Sequence, residues 1–124
     1  MGRKSRWAWI KETPREIIPA DIQEQTRQRV LAYAEKILPG KASWLRVRFR
    51  NRFCYIDAEE PNDPVPLTHL ARLTWRGDPS GWEVAFYVYS SERYQACVFG
   101  SREWGTPEEA LKLGAGYLGA PLLG

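Results

Sequence analysis

Few residues of this 124-residue chain have side chains suited to catalysis, and its one histidine, His69, and two cysteines, Cys54 and Cys97, are far apart. Nucleophilic catalysis needs a base within hydrogen-bond reach of the nucleophile, and no motif surrounds His69. A zinc site needs three or four closely spaced ligands, which this chain lacks. We therefore interpret His69 as a surface or structural histidine, and we predict no catalytic residue, no metal site and no cofactor.

An acidic cluster is the second place where chemistry could occur. It consists of Asp57, Glu59, Glu60 and Asp63. Grouped carboxylates hold Mg²⁺ in hydrolases and nucleases, so a magnesium-dependent enzyme using Asp57, Glu59 and Asp63 stays open as a minor alternative. Three prolines between residues 61 and 66 favour a stiff, solvated loop instead, because proline removes the backbone donors of a strand.

The most prominent pattern is an alternation of arginine with apolar residues in 44–50, which predicts a strand with one apolar face. Continued over the later strands, the same parity brings cations and aromatic rings together on the opposite face. The predicted members are Arg46, Arg48, Arg50, Phe53, Tyr55, Arg72, Arg76, Tyr87 and Tyr89. Such a face can stack nucleobases on its rings while arginine neutralises phosphates. Alternatively, arginine stems pack on the rings, and the arm or a second subunit covers the face.

The elements that must position these side chains are predicted from periodicity. Apolar residues at helical spacing predict a helix over 21–38, with Asp21 and Glu24 as its capping pair. The predicted strands are 44–50, 53–58, 69–76, 82–90 and 94–99. Thr106-Pro107 opens a short last helix. The fold class is therefore α+β, with an N-terminal helix, a five-stranded antiparallel sheet and a short C-terminal helix.

The first two predicted strands are separated by Asn51 and Arg52, which suits a two-residue hairpin loop. This loop sets Phe49 opposite Cys54, Val47 opposite Ile56, and Arg46 opposite Asp57. The register places apolar residues on one face and one oppositely charged pair on the other.

Length and charge indicate one intracellular domain with an arm. Residues 1–18 form a basic arm that carries Trp7 and Trp9, residues 19–118 form a single domain, and 119–124 form a tail. The formal net charge is +3, and thirteen of the 18 cations are arginine, which favours anionic or planar partners. We expect a cytoplasmic protein with reduced cysteines and no membrane segment.

Several segments resemble a group of small bacterial proteins classed as a domain of unknown function. The resemblance rests on Phe53–Ala58, Leu70–Leu73, Trp82–Tyr87, Tyr94 and Gly105–Ala110. It implies a bacterial origin and the same order of elements, and it adds no activity. A weaker, local likeness joins the last strand and the turn at Gly105–Ala110 to HicB-type antitoxins.

The sequence favours a non-enzymatic module that binds nucleic acid, single-stranded or RNA, through the Arg/aromatic face. The predicted binding residues are Arg46, Arg48, Arg50, Tyr55, Arg72, Arg76 and Tyr87, with Trp7 and Trp9 of the arm assisting. The alternative is a protein-interaction or homodimerising module, for instance an antitoxin-like one, that uses the same face.

Overall fold

The computed structural model describes residues 17–61, 67–97 and 102–115, and it confirms the predicted α+β fold. Trp7, Trp9 and Asp63 lie outside the described residues. The helices are α1 (Ala20–Ile37) and α2 (Pro107–Gly114), and a single 3₁₀ turn spans Ala42–Trp44. The strands are β1 (Leu45–Arg50), β2 (Phe53–Ala58), β3 (Thr68–Thr74), β4 (Glu83–Val88) and β5 (Arg93–Ala96).

Helix α1 begins one residue earlier than predicted, and the predicted capping pair is wrong. Pro19 precedes the helix without a side-chain cap, and its carbonyl accepts a hydrogen bond from the amide of Gln23 at 2.9 Å. Because Pro19, with its extended ψ of 148°, is the last residue before the helix, Asp21 falls inside the first turn and cannot cap it. Glu24 instead accepts hydrogen bonds from Arg27 and Gln28.

Among the described residues, no helix is both long and apolar enough to cross a membrane.

The five strands form one antiparallel meander in the order β1-β2-β3-β4-β5. The predicted hairpin register between β1 and β2 is confirmed at all three pairs, and Asn51 has the positive φ of 55° that such a tight loop requires. The pairing of β2 with β3 contains a β-bulge at Ile56/Asp57, so that Ile56 faces Ala71 whereas Asp57 faces His69. This irregularity bears directly on the candidate site.

The core lies on the apolar face of the sheet, and both helices pack on that face. Its sheet residues include Cys54, Ile56, Leu73 and Val84, all buried. Helix α1 adds Val30, Ala34 and Ile37, and helix α2 adds Ala110 and Leu111. All of these helix residues pack against the apolar face of the sheet. Within the described part of the chain, no helix therefore covers the opposite face.

Helix α2 is fixed at its start by a capping box. The Thr106 hydroxyl accepts a hydrogen bond from the Glu109 amide at 3.1 Å, and the Glu109 carboxylate accepts one from the Thr106 amide at 2.9 Å. Arg29 of α1 makes two hydrogen bonds to Glu108, at 2.7 and 2.9 Å, and this contact holds the pKa of Glu108 below its ordinary value. The two helices are therefore tied by a charged pair as well as by the core.

Changing Gly114 to Ala is expected to destabilise the protein, although alanine is the better helix former. A Cβ at position 114 would lie 2.7 Å from both the Cβ and the carbonyl oxygen of Leu70, so the end of α2 must move away from β3. Such overpacking costs about 1–3 kcal/mol. Urea denaturation of G114A, with Leu113→Ala at an exposed position of the same helix as the control, measures this; a G114A protein as stable as the wild type contradicts the close packing.

Cys54 is expected to react with a thiol reagent only after the protein unfolds. Its side chain is fully buried, and this burial raises the pKa of its thiol to about 12, so almost no thiolate forms at pH 8. Cys97 is only partly buried. Labelling at pH 8 should therefore modify Cys97 alone in the native protein and both cysteines in urea. Equal labelling rates in the native protein would show that the core opens at β2.

Candidate functional site

The face of the sheet opposite the helices brings together charged and aromatic side chains from all five strands. We call it the Arg/aromatic face. Antiparallel pairing aligns Arg48, Tyr55 and Arg72 across β1, β2 and β3, and it aligns Tyr87 with Tyr94 across β4 and β5. The other members are Arg46, Arg50, Phe53 and Asp57, which lie on the same parity, and Tyr89, which directly follows the end of β4. His69 of β3 is added by the register shift between β2 and β3.

A continuous row of aromatic rings crosses this face. The ring centroids are 6.0 Å apart between Phe53 and Tyr55, 5.9 Å between Tyr55 and Tyr94, and 5.1 Å between Tyr94 and Tyr87. The row ends at Tyr89, 4.7 Å from Tyr87. Each ring is therefore within contact distance of the next, with 49° to 78° between neighbouring ring planes, so the face carries an unbroken row of aromatic side chains.

Arginines lie on these rings: Arg52 of the hairpin loop is 5.2 Å from the Phe53 centroid, and two strand arginines, Arg48 and Arg72, lie closer to their rings. The Arg48 guanidinium is 4.3 Å from the centroid of Tyr55. The Arg72 guanidinium is 4.9 Å from both Phe53 and Tyr94, so it packs between two rings of the row. Cation–π contacts of this kind hold a guanidinium in place without neutralising its charge. The two cations are therefore fixed in position and still able to attract an anion.

A fully buried carboxylate, Asp57, lies among these cations and rings. Asp57 has no exposed surface, and it accepts hydrogen bonds from Arg48 Nε at 3.1 Å and from His69 Nδ1 at 3.0 Å. The Arg48 and His69 side chains keep 51% and 30% of their exposure. A carboxylate is stable in such a place only when paired. Asp57 thus links a cation and an imidazole on the surface of the face.

The β-bulge decides that His69 belongs to this face. Strict alternation from Ala71 and Leu73 would turn His69 toward the core, whereas the bulge pairs it with Asp57. The backbone amide of His69 donates a hydrogen bond to the Tyr89 hydroxyl at 2.7 Å, and the ring of Tyr87 lies 4.7 Å from the imidazole. The imidazole is therefore held by a carboxylate, a ring and a fixed backbone.

Tyr94 stays a neutral phenol at the centre of the row. Burial raises the pKa of its hydroxyl well above the ordinary value, and the nearby Asp57 charge adds to that rise. Its hydroxyl and Arg72 Nε are both buried, and neither has a hydrogen-bond partner in the described part of the chain. Tyr94 therefore contributes a ring rather than a charge to the face.

The predicted binding residues lie in different parts of the molecule. Arg48, Tyr55, Arg72 and Tyr87 lie together in the centre just described. Arg46 lies at one end of β1 and forms an ion pair with Glu59 at 3.0 Å. Arg50 lies at the other end, is exposed, and has no ion pair within residues 17–61, 67–97 and 102–115.

Arg76 is separated from this centre, since β3 ends at Thr74. It lines an open cleft of about 710 Å³ together with Glu83, Arg102 and Trp104, and the Arg102 guanidinium lies 4.6 Å from the Trp104 ring. Trp7 and Trp9, the remaining predicted residues, lie outside the described part of the chain.

Three residues of the site were not predicted as members. His69 was not predicted because the pattern of apolar residues does not reveal the bulge. Tyr94 was not predicted because no face was assigned to the residues of the fifth strand. Asp57 was predicted opposite Arg46, and the backbone register is as expected, but its carboxylate bonds to Arg48 and His69 while Arg46 reaches Glu59. The available signal for Asp57 was that it is the one charged residue of Phe53–Ala58 and has the same parity as Tyr55.

The magnesium alternative gains no support from this geometry. The Asp57 carboxylate is occupied by Arg48 and His69, and Asp63 lies outside the described residues. Among the residues that the structure describes, no group of three or more His, Cys, Asp or Glu could hold a metal ion.

Comparison of the chain with protein-family models, with curated proteins and with solved structures finds no match. No function can therefore be carried over from a relative. The geometry and charge of the Arg/aromatic face are the basis on which a function can be assigned.

Proposed function

We propose that the chain binds single-stranded nucleic acid through the Arg/aromatic face. The observation that carries the proposal is the row of five rings from Phe53 to Tyr89, flanked by arginines, on the side of the sheet that neither helix covers. Proteins that bind single strands combine these two features, because rings stack with bases and cations follow the backbone.

Stacking supplies the first part of the affinity. A base stacked on an aromatic side chain contributes about 1–3 kcal/mol, and every base has a π face, so such binding tolerates many sequences. In a duplex the faces of the bases are already stacked on each other. A surface whose attraction is made of rings therefore favours a single strand over a duplex of the same sequence.

Phosphate contacts supply the second part. Arg50 and Arg72 have no carboxylate partner among the described side chains, so their charges are available to phosphates. Arg48 uses Nε for Asp57 and exposes half of its side chain. Three phosphate contacts predict a salt dependence of the binding constant with a slope of about −2 for a single strand.

Fluorescence anisotropy of labelled single-stranded RNA, single-stranded DNA and duplex DNA, each titrated with the full chain at 50 and 200 mM salt, tests the proposal. We expect both single strands to bind more tightly than the duplex, and binding to weaken with salt at the stated slope. An absence of single-strand binding at the lower salt, or equal binding of the duplex, contradicts the proposal.

A second candidate is a surface for a protein partner or a second copy of this chain. Its specific support is that Arg46 and Arg48 are already paired with carboxylates, which lowers the net positive charge of the face. Tyrosine and arginine are also enriched where proteins meet. Light scattering over a range of concentrations distinguishes the candidates, since self-association through this face yields a dimer mass that charge reversal at Arg50 should reduce.

A further inference from the structure

We propose that the Arg/aromatic face also cleaves single-stranded RNA without a metal ion, with His69 Nε2 accepting the proton of a ribose 2′-hydroxyl. This inference rests on the proposed function, because it needs an RNA strand bound on the same face. It goes beyond the non-enzymatic module that the sequence favours.

The orientation of the imidazole is the first observation. A carboxylate only accepts hydrogen bonds, so the 3.0 Å contact with Asp57 places a proton on His69 Nδ1 and leaves the lone pair on Nε2. Within the described residues Nε2 makes no hydrogen bond, and the side chain keeps 30% of its exposure. The rings of Tyr87 and Tyr94 fix the plane of the imidazole, at 4.7 and 6.2 Å. His69 is thus arranged as a general base.

The second observation is the cost of the arrangement. A carboxylate with no exposed surface needs compensating partners, whereas a small apolar residue at position 57 would need none. The β-bulge that brings His69 to Asp57 also interrupts the regular ladder. Both features point to a functional role, because the fold itself requires neither of them.

The reaction follows from the chemistry of RNA. His69 Nε2 takes the proton of a 2′-hydroxyl, the 2′-oxygen forms a bond to the adjacent phosphorus, and the bond from phosphorus to the 5′-oxygen of the next nucleotide breaks. The leaving 5′-oxygen takes a proton from water, and the resulting hydroxide takes the proton held by His69. The products are a 2′,3′-cyclic phosphate and a 5′-hydroxyl, so atoms and charge balance without any other reactant.

Arg48 is placed to stabilise the negative charge that develops on the phosphate oxygens. Its Nε holds Asp57, which leaves both terminal nitrogens without a hydrogen bond in the described part of the protein. Because Arg48 and His69 bond to the two oxygens of one carboxylate, both side chains belong to the same part of the face. A fixed cation beside the reacting phosphate lowers the barrier without reorganisation.

The test uses the full chain, EDTA, and an end-labelled single-stranded RNA beside the same sequence made of 2′-deoxynucleotides. We expect cleavage of the RNA alone, with 2′,3′-cyclic phosphate ends. His69→Gln keeps a donor for Asp57 but cannot take up a proton, so it should lose about 10²–10⁴-fold in rate. Its affinity for the RNA should stay within about twofold of the wild type. Arg93→Gln, exposed and on the opposite parity of β5, is the matched control and should cleave normally.

The outcomes separate this inference from the proposed function. A wild-type protein that binds the RNA and leaves it intact overturns the nuclease and leaves the binding proposal standing, whereas a protein that binds no single strand overturns both. Cleavage by H69Q at the wild-type rate overturns the role of His69. If H69Q does not fold, the 2′-deoxy oligonucleotide tests the mechanism with the wild-type protein. Cleavage of that oligonucleotide, or RNA products without 2′,3′-cyclic phosphate ends, would contradict attack by a 2′-hydroxyl.

Discussion

Changing Arg50 to Glu and Arg72 to Gln in one protein is expected to weaken the binding of a single-stranded oligonucleotide about 100-fold. A hydrogen bond between a charged group and its partner contributes about 1.5–3 kcal/mol, so losing one phosphate contact at each position removes roughly 3 kcal/mol or more. Arg50 is exposed at the end of β1, and Arg72 packs between Phe53 and Tyr94 at the centre. The two substitutions therefore remove one cation from the end of the Arg/aromatic face and one from its centre.

Anisotropy at constant salt measures this loss, and Arg93→Glu, which makes the same charge reversal as Arg50→Glu, is the control for that reversal. Arg93 is exposed and lies on the opposite parity of β5, so its reversal should alter affinity only slightly. Arg48 is unsuitable for this purpose, because a new carboxylate there would face the buried Asp57. Equal losses in the two proteins would mean that total charge, rather than the Arg/aromatic face, governs binding.

Removing both partners of Asp57, by Arg48→Ala with His69→Ala, is expected to lower the free energy of unfolding by about 3–5 kcal/mol. The double variant leaves a carboxylate with no exposed surface and no cation or donor from either residue. Asp57→Asn should cost less, about 1–3 kcal/mol, because it removes the buried charge and leaves Arg48 and His69 with access to water.

Urea denaturation of the wild type and of these two variants measures the difference. The order of stabilities is the informative result, since Asp57→Asn removes the charge and keeps one acceptor oxygen, whereas the double variant leaves the buried charge without either partner. A double variant as stable as D57N would show that water reaches the carboxylate, which contradicts its complete burial.

The register of the first hairpin could be predicted from sequence because a two-residue loop and strict alternation determine it together. Asn51 tolerates positive φ, and the arginines between Leu45, Val47 and Phe49 allow only one face to be buried. The first helix could be predicted from apolar spacing, and the start of α2 from Thr106 followed by Pro107.

The centre of the site could not be predicted, because it depends on a single irregularity. Alternation counted back from Leu73 assigns His69 to the core side, and only the bulge at Ile56/Asp57 reverses it. The partner of Asp57 was equally hidden, since the residue opposite it, Arg46, turns to Glu59 at the strand end. Local patterns determine the faces of strands, but they do not determine which of several nearby cations a carboxylate meets.

The central claim, that a single strand lies on the Arg/aromatic face, is tested most directly by a ¹H–¹⁵N NMR titration of the full chain with a short single-stranded RNA. If the strand binds there, the largest chemical-shift changes should occur at the amides of five residues: Arg48, Tyr55, Arg72, Tyr87 and Tyr94. The amides of the two helices should change little. Shifts confined to α1 or α2, or no shifts while the RNA is in excess, would contradict it.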